Sequence, residues 1–248
     1  MLTNKDRSDR YLIINADDFG ISEKTNSGII EAREKGVLTS ASLMVLRPAA
    51  KAAAQYAASD RRFSVGLHVE LGEWSYEQDQ WKLIHERVNA QDSGAVALEL
   101  RRQLERFRDL TGRNPTHVDS HQHIHTDAHL VPIFQEVAQE LGVNLRSCGS
   151  MVQYCGAFFG ADEYMTPRPE FVSSENLIHL IDQLPAGITE ISTHPGWDMA
   201  LESDYRDARL AEVHTLCNPT VRQAIADRGI LLLSFTDLNS APPRDTCE

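Results

Sequence analysis

The feature that most constrains this chain is an alternation. Short apolar, β-branched runs trade places with helical patterns along nearly its whole length. Repeated βα units around a parallel sheet or barrel produce this pattern. Strands are expected over Tyr11–Asn15, Leu38–Leu46, Phe63–Leu67, Thr116–Ser120, Val143–Arg146, Ile188–Thr193 and Ile230–Phe235. Helices are expected over Thr25–Lys35, Ala49–Ala58, Pro132–Leu141, Tyr205–Leu216 and Val221–Asp227. A further helix carries the stripe Leu100, Leu104, Phe107 and Leu110. Gly36 reads as a helix stop, because glycine tolerates a left-handed cap. About seven βα units result. The stretches Glu70–Gly94 and Ser147–Ser173 do not follow the alternation, and loops of that length usually carry function or small elements of their own.

Composition narrows the function. The chain has 248 residues, enough for a sizeable core without staples, and no second composition marks another domain. The expected organisation is a polar tail over 1–10, one domain over 11–239 and a second tail over 240–248. Twenty-four Lys and Arg against 36 Asp and Glu give a net charge of −12, with no long basic run, which argues against nucleic acid as a partner. No apolar run approaches the ~20 residues of a membrane helix, so no membrane partner is expected. The N-terminus is polar and lacks a signal-peptide core, and the four cysteines show no paired spacing. Reduced thiols and a cytoplasmic location are the expectation.

The ten histidines are the unusual count, and four of them fall in Thr116–His125, T-H-V-D-S-H-Q-H-I-H. Asp17 and Asp18, His68, His121 and His194 each stand at the C-terminal end of an expected strand, where parallel βα architectures gather their active sites. Two imidazoles and a carboxylate there suit a divalent metal with positions left for water and substrate. Each cluster has a plainer reading as well. Asp17 and Asp18 could cap a helix, and would repel each other unless a cation lies beside them. A lone His68 is more often a hydrogen-bonded core residue, and a run of histidines is often a solvated loop. His117, Asp119, His121, His123 and His125 share one parity, so periodicity does not choose among them. Thr126 and Asp127 resemble the start of the next helix. His194, with proline and glycine directly behind it, sits on a turn, where a side chain titrating near neutrality suits proton donation. Arg146 and Asp237 also follow strands and are read as facing the same end; an ordinary surface ion pair is the alternative.

These motifs resemble the YdjC-like carbohydrate deacetylases, the group that includes chitooligosaccharide deacetylases and relatives from hopanoid biosynthesis. The resemblance runs from about Tyr11 to Asn239 and rests on N-A-D-D-F-G at Asn15–Gly20, G-L-H at Gly66–His68, T-H-V-D-S-H-Q-H-I-H, and H-P-G at His194–Gly196. G-V-L-T-S-A-S at Gly36–Ser42 and the pair Leu145–Arg146 add to it. It implies an α/β fold, an irregular TIM-like (β/α) barrel of about seven strands, and a metal-dependent hydrolase that removes acetyl groups from N-acetylated sugars. Carried over by position, it implies one divalent metal ion, magnesium or zinc, on Asp18, His68 and His121, with His125 as the alternative ligand. Asp17 would be the general base and His194 the general acid or an orienting group. Asp119 and Arg146 would support them from behind. The two long loops would choose the substrate, with Trp74, Trp81, Tyr154 and Phe158 against the sugar or, alternatively, pinning the loops. A homodimer is compatible with the resemblance. Two other readings are a metal-dependent hydrolase of a phosphoester or cyclic amide, and a histidine-rich metal buffer needing neither Asp17 nor His194.

Overall fold

The computed structural model describes residues 9–77, 79–149, 151–198 and 206–239. Residues 1–8 and 240–248, which hold most of the expected tails, and Tyr205 lie outside them. At the centre is β1 (Arg10–Phe19), whose last eight residues are all buried. There follow α1 (Glu23–Lys35), β2 (Ser40–Leu43), α2 (Ala50–Ser59) and β3 (Ser64–Val69). Next come β4 (Gly72–Glu77), β5 (Gln80–Glu86), α3 (Ser93–Thr111), β6 (His117–Ser120), α4 (Val131–Leu141) and β7 (Asn144–Leu145). The chain continues through β8 (Val152–Cys155), α5 (Ser174–Asp182), β9 (Gly187–Thr193), α6 (Arg206–Leu216), α7 (Pro219–Asp227), β10 (Leu231–Leu232) and α8 (Phe235–Asn239).

The helices form for local reasons. Ser22, Asp92, Ser173 and Asn218 cap the first turns of α1, α3, α5 and α7 with side-chain oxygens. In α3 the buried residues Val96, Leu100, Leu104 and Phe107 recur at helical spacing, and the alanines of α2 let it pack close. Gly36 does end α1, but in extended backbone rather than the expected left-handed cap. Its reason is space, since a Cβ there would lie 2.5 Å from the carbonyl oxygens of Ala32 and Leu216.

Seven strands lie in the order β7-β6-β3-β2-β1-β9-β8, every neighbour parallel. β10 pairs with Tyr11 and Leu12 of β1, on the edge that β2 takes over from Asn15. The sheet is curled. Five inter-strand steps of about 4.8 Å would separate β7 from β9 if it were flat, roughly 24 Å. Arg146, directly after β7, nevertheless reaches Glu190 on β9 at 2.5 Å.

The two irregular stretches contain elements that the alternation does not reveal. The first holds the antiparallel hairpin β4–β5, whose second strand is exposed along its length, and the second holds β8. α5 is also absent from the sequence reading. The expected last strand shrinks to Leu231–Leu232, and Phe235 instead opens α8, where its ring stacks on His117 at 4.0 Å. The helix expected from Thr126 begins at Val131. No helix among the described residues is long and apolar enough to cross a membrane.

Candidate active site

Neighbouring residues on a regular strand face opposite sides, yet Asp17 and Asp18 line one cavity. The cause is local. Asp18 adopts a left-handed φ of 64°, and the β1–β2 register shifts between Ala16 and Phe19, a bulge that re-aims the end of the strand. Both carboxylates are buried, and each has its own cation. Arg146 Nη1 donates to Asp17 Oδ1 at 2.6 Å, and Arg209 Nη2 donates to Asp18 Oδ2. Burial alone would raise both carboxyl pKa values, but Arg146 holds Asp17 below the usual range and Arg209 holds Asp18 well below it.

Asp18 Oδ1 faces two imidazoles, with His121 Nδ1 at 3.2 Å and His68 Nε2 at 3.6 Å. Their ligand-type atoms all lie within 4.8 Å of one another. That oxygen is buried and accepts no well-aligned hydrogen bond from the described residues. Among the described residues carboxylates also outnumber guanidinium groups here, with Asp17, Asp18, Asp119, Glu190 and Glu212 buried against Arg146 and Arg209. The two imidazoles respond to that excess of negative charge. Burial would lower both, yet Asp119 and Asp18 raise His68 to about 10, and Asp18 and Glu73 raise His121 to about 9. An unsatisfied carboxylate oxygen with two imidazole nitrogens beside it, in an interior rich in negative charge, fits a divalent cation. A second grouping, Asp17, His68 and Asp119, is already bridged by Arg146 Nη1, at 2.6 and 2.5 Å from the two aspartates.

The other histidines of the cluster separate at the end of β6. Gln122 and His123 take left-handed φ values of 54°, so the common parity ends at Ser120. His117 lies inside the sheet, with Nε2 3.0 Å from Ser42 Oγ. The glycine of G-L-H makes room for it, since a Cβ on Gly66 would come within 2.4 Å of its ring. His123 Nε2 lies 3.0 Å from the Tyr154 hydroxyl. His125 is fully buried with both nitrogens engaged: Nδ1 accepts from Ser120 N at 3.1 Å and Nε2 donates to the Arg146 carbonyl at 2.9 Å.

Asp119 and Arg146 organise this centre from behind. Asp119 Oδ1 accepts from His68 Nδ1 at 2.8 Å, and Oδ2 accepts from Ser42 Oγ and Arg146. Fixing the proton on Nδ1 leaves His68 Nε2 toward Asp18. Arg146 is fully buried, so it is no surface ion pair. Asp237, by contrast, lies away from this centre. It lines a separate cavity with Gly36, Val37 and Thr39, residues that precede β2, and it accepts from Ser234 N at the start of α8.

His194 places Nε2 3.6 Å from Asp17 Oδ2 and stacks edge-on against Phe159. Its pKa is not near neutrality as expected; burial lowers it to about 4, with Asp17 and Asp18 opposing. Trp81, Tyr154, Phe158, Phe159 and Met165 complete the cavity, of about 400 Å³. Trp74 is not among its lining residues; its ring lies over Gly72.

Several residues of the centre escape sequence reading. Asn15, which donates to Asp17 Oδ1 at 2.9 Å, and Glu190 and Ser192 share strand parity with Asp17 and His194, a signal that could have found them. Glu73, Arg47 and Arg209 leave none, because they arrive from the hairpin, the β2–α2 connection and α6.

The whole arrangement can hold a cation, ionise one carboxylate beside it and present a neutral imidazole across a small cavity. Known proteins resemble the chain. The chain is 33% identical to a carbohydrate deacetylase of Geobacillus stearothermophilus, over 92% of this chain and 98% of that one. It is equally similar to a chitooligosaccharide deacetylase of Klebsiella pneumoniae strain 342, over 93% of this chain and all of the relative. Among solved structures, a proposed cellobiose-phosphate cleavage protein of Enterococcus faecalis V583 superposes with a TM-score of 0.75 at 27% identity, covering 93% of this chain and 99% of that one. A family 4 carbohydrate esterase of Streptomyces lividans shares the fold, with a TM-score of 0.52 at 14% identity, over 91% and 92% of the two chains. The model of YdjC-like proteins matches residues 11–227, a span that includes Asp17, Asp18, His68, His121 and His194, and the chain belongs to that family.

Proposed function

We propose that this chain is a metal-dependent carbohydrate N-deacetylase, a hydrolase that releases acetate from a 2-acetamido sugar and leaves an amino sugar. The observation that carries this reading is the convergence of Asp18, His68 and His121 on one point, beside Asp17 and His194, in a family whose relatives include carbohydrate deacetylases. Asp18 Oδ1, His68 Nε2 and His121 Nδ1 would hold the cation. His121 is preferred to His125 because both nitrogens of His125 are engaged elsewhere. When bound, a divalent metal polarises the acetamide carbonyl and lowers the pKa of the attacking water.

The chain's own residues do the rest. Asp17, kept ionised by Arg146, accepts the water proton at Oδ2, the oxygen facing His194. His194 is neutral in the resting site, so its acid role begins with a proton passed on from Asp17, 3.6 Å away, and ends with delivery to the departing amine. Asp119 orients His68 and, with Asp17, anchors Arg146. Trp81, Tyr154 and Phe158 bound the cavity that takes the sugar. A neutral acetylated sugar needs no basic cleft, in keeping with the net charge of −12.

The test is acetate release from chitooligosaccharides by the metal-stripped chain reloaded in turn with zinc, magnesium, manganese and cobalt. Acetate in at least one reloaded sample, and none in the stripped one, is expected. No release with any metal, over several N-acetylated sugars, would overturn the reading.

A further inference from the structure

Each of the two imidazoles beside Asp18 has a carboxylate at its far nitrogen. Behind His68 it is Asp119, from the same histidine-rich motif. Behind His121 it is Glu73, from β4, with Oε1 3.1 Å from Nε2. Glu73 lies outside every motif that carries the family resemblance. It is nonetheless held in place. Arg47 Nη2 donates to its other oxygen at 2.6 Å, while Arg47 Nε lies 2.8 Å from Glu70, a carboxylate only 2% exposed that also pairs with Arg87 at 2.9 Å.

The adjoining backbone is held as well. Gln122 Oε1 accepts from Trp74 N at 2.9 Å, and Gln122 Nε2 donates to Trp74 O at 2.7 Å. Residues 73–74 of the hairpin are therefore joined to residues 121–122 of the histidine loop by three hydrogen bonds. A neutral imidazole offers one N–H and one lone pair, and the partner of the N–H decides which nitrogen is left as ligand.

We propose that Glu73, held by Arg47, is a positioning residue for the cation site. It keeps the His121 proton on Nε2, presents Nδ1 to the point shared with Asp18 and His68, and thereby makes the β4–β5 hairpin part of the metal centre. This rests on the reading above, in which His121 is a ligand.

The experiment measures zinc affinity of the full chain, stripped of metal, by competition with a chromophoric chelator. It compares wild type with Glu73→Ala, Glu73→Gln, Arg47→Met and His121→Ala, and records the cobalt(II) absorption spectrum of each. Glu73→Ala is expected to weaken zinc binding by roughly 10–100-fold and to alter the cobalt bands. Glu73→Gln, which keeps an acceptor without the charge, falls between it and wild type, and Arg47→Met loses affinity in the same direction. Zinc affinity of both Glu73 variants within twofold of wild type, with the site lost in His121→Ala, overturns the positioning role. Should Glu73→Ala not fold, Glu73→Gln at wild-type affinity and with a wild-type cobalt spectrum overturns it alone. Undiminished binding in His121→Ala instead removes the ligand reading on which it rests.

Discussion

Asp17 and Asp18 are chemically identical neighbours, and the protein makes them different by giving them different surroundings. Asp18 turns one oxygen to Arg209 and the other to two imidazoles; Asp17 turns one to Arg146 and Asn15 and the other to Ser192 and His194. On the proposed reading, one holds a cation and the other moves a proton. Asp17→Asn is therefore expected to keep zinc affinity within a few fold while deacetylation falls by about 10²–10⁴. Zinc titration and acetate release on the same preparation check it, and a parallel loss of both would make Asp17 a ligand. The histidine cluster divides in the same way. His121→Ala is expected to lose zinc affinity. His125→Ala is expected to keep it but to lose stability, because the Ser120 N–H and the Arg146 carbonyl are left buried without their partner, at about 1–3 kcal/mol for each group. Urea denaturation and zinc titration of the pair decide between them. Zinc binding lost in His125→Ala and retained in His121→Ala would reverse the ligand assignment.

At the scale of elements, the working parts are strand ends and what is laid across them. β3 shows how tightly the ends depend on the strands behind them. Gly66 sits two residues before His68, and a Cβ there would meet the buried His117 ring at 2.4 Å, a ring already stacked on Phe235. Gly66→Ala is expected to cost about 1–3 kcal/mol by overpacking and, because β3 must shift, to weaken zinc binding at His68. Thermal unfolding and zinc titration test this, and a variant with wild-type values for both would mean that the ring moves aside freely. Much of this level was legible in the sequence. Strands announce themselves by local apolar runs, and a polar residue that follows such a run lands at the sheet's rim whatever the rest of the fold does. The hairpin was not legible, since β5 is exposed along its length and has no buried face to give it a periodicity. Nor were Glu73 and Arg209, whose partners lie 48 and 191 residues away and leave no trace in neighbouring residues. Gln122 and His123 misled for a related reason. The parity argument assumes extended backbone, and it lapses at the first residue that leaves it.

At the scale of the whole molecule, a sheet path whose two end strands, β7 and β8, are not paired with each other among the described residues is tied across its interior by ions. Arg146 joins the end of β7 to carboxylates on β1, β6 and β9, so the curl of the sheet and the arrangement of the site depend on one guanidinium. One guanidinium, with the His68 imidazole beside Asp119, does not hold all three buried carboxylates low. Asp17 and Asp119 are held low, and the third is Glu190, which burial pushes up to about 7 although Arg146 opposes the rise. The sign of the consequence follows from linkage. A carboxyl whose folded pKa lies above its unfolded value favours folding fully below the unfolded value, near 4.5, and that contribution is lost as pH rises through about 7. The metal-free chain is therefore expected to lose up to about 3 kcal/mol of stability from this one group between pH 4.5 and 7.5. Glu190→Gln keeps an oxygen for Arg146 Nε and has nothing to titrate. Urea denaturation of both chains in the presence of a chelator, at intervals over that range, should show the variant with the flatter profile and the gap between the two turning in the variant's favour toward pH 7.5. Profiles that run parallel would place the excess charge on some group other than Glu190.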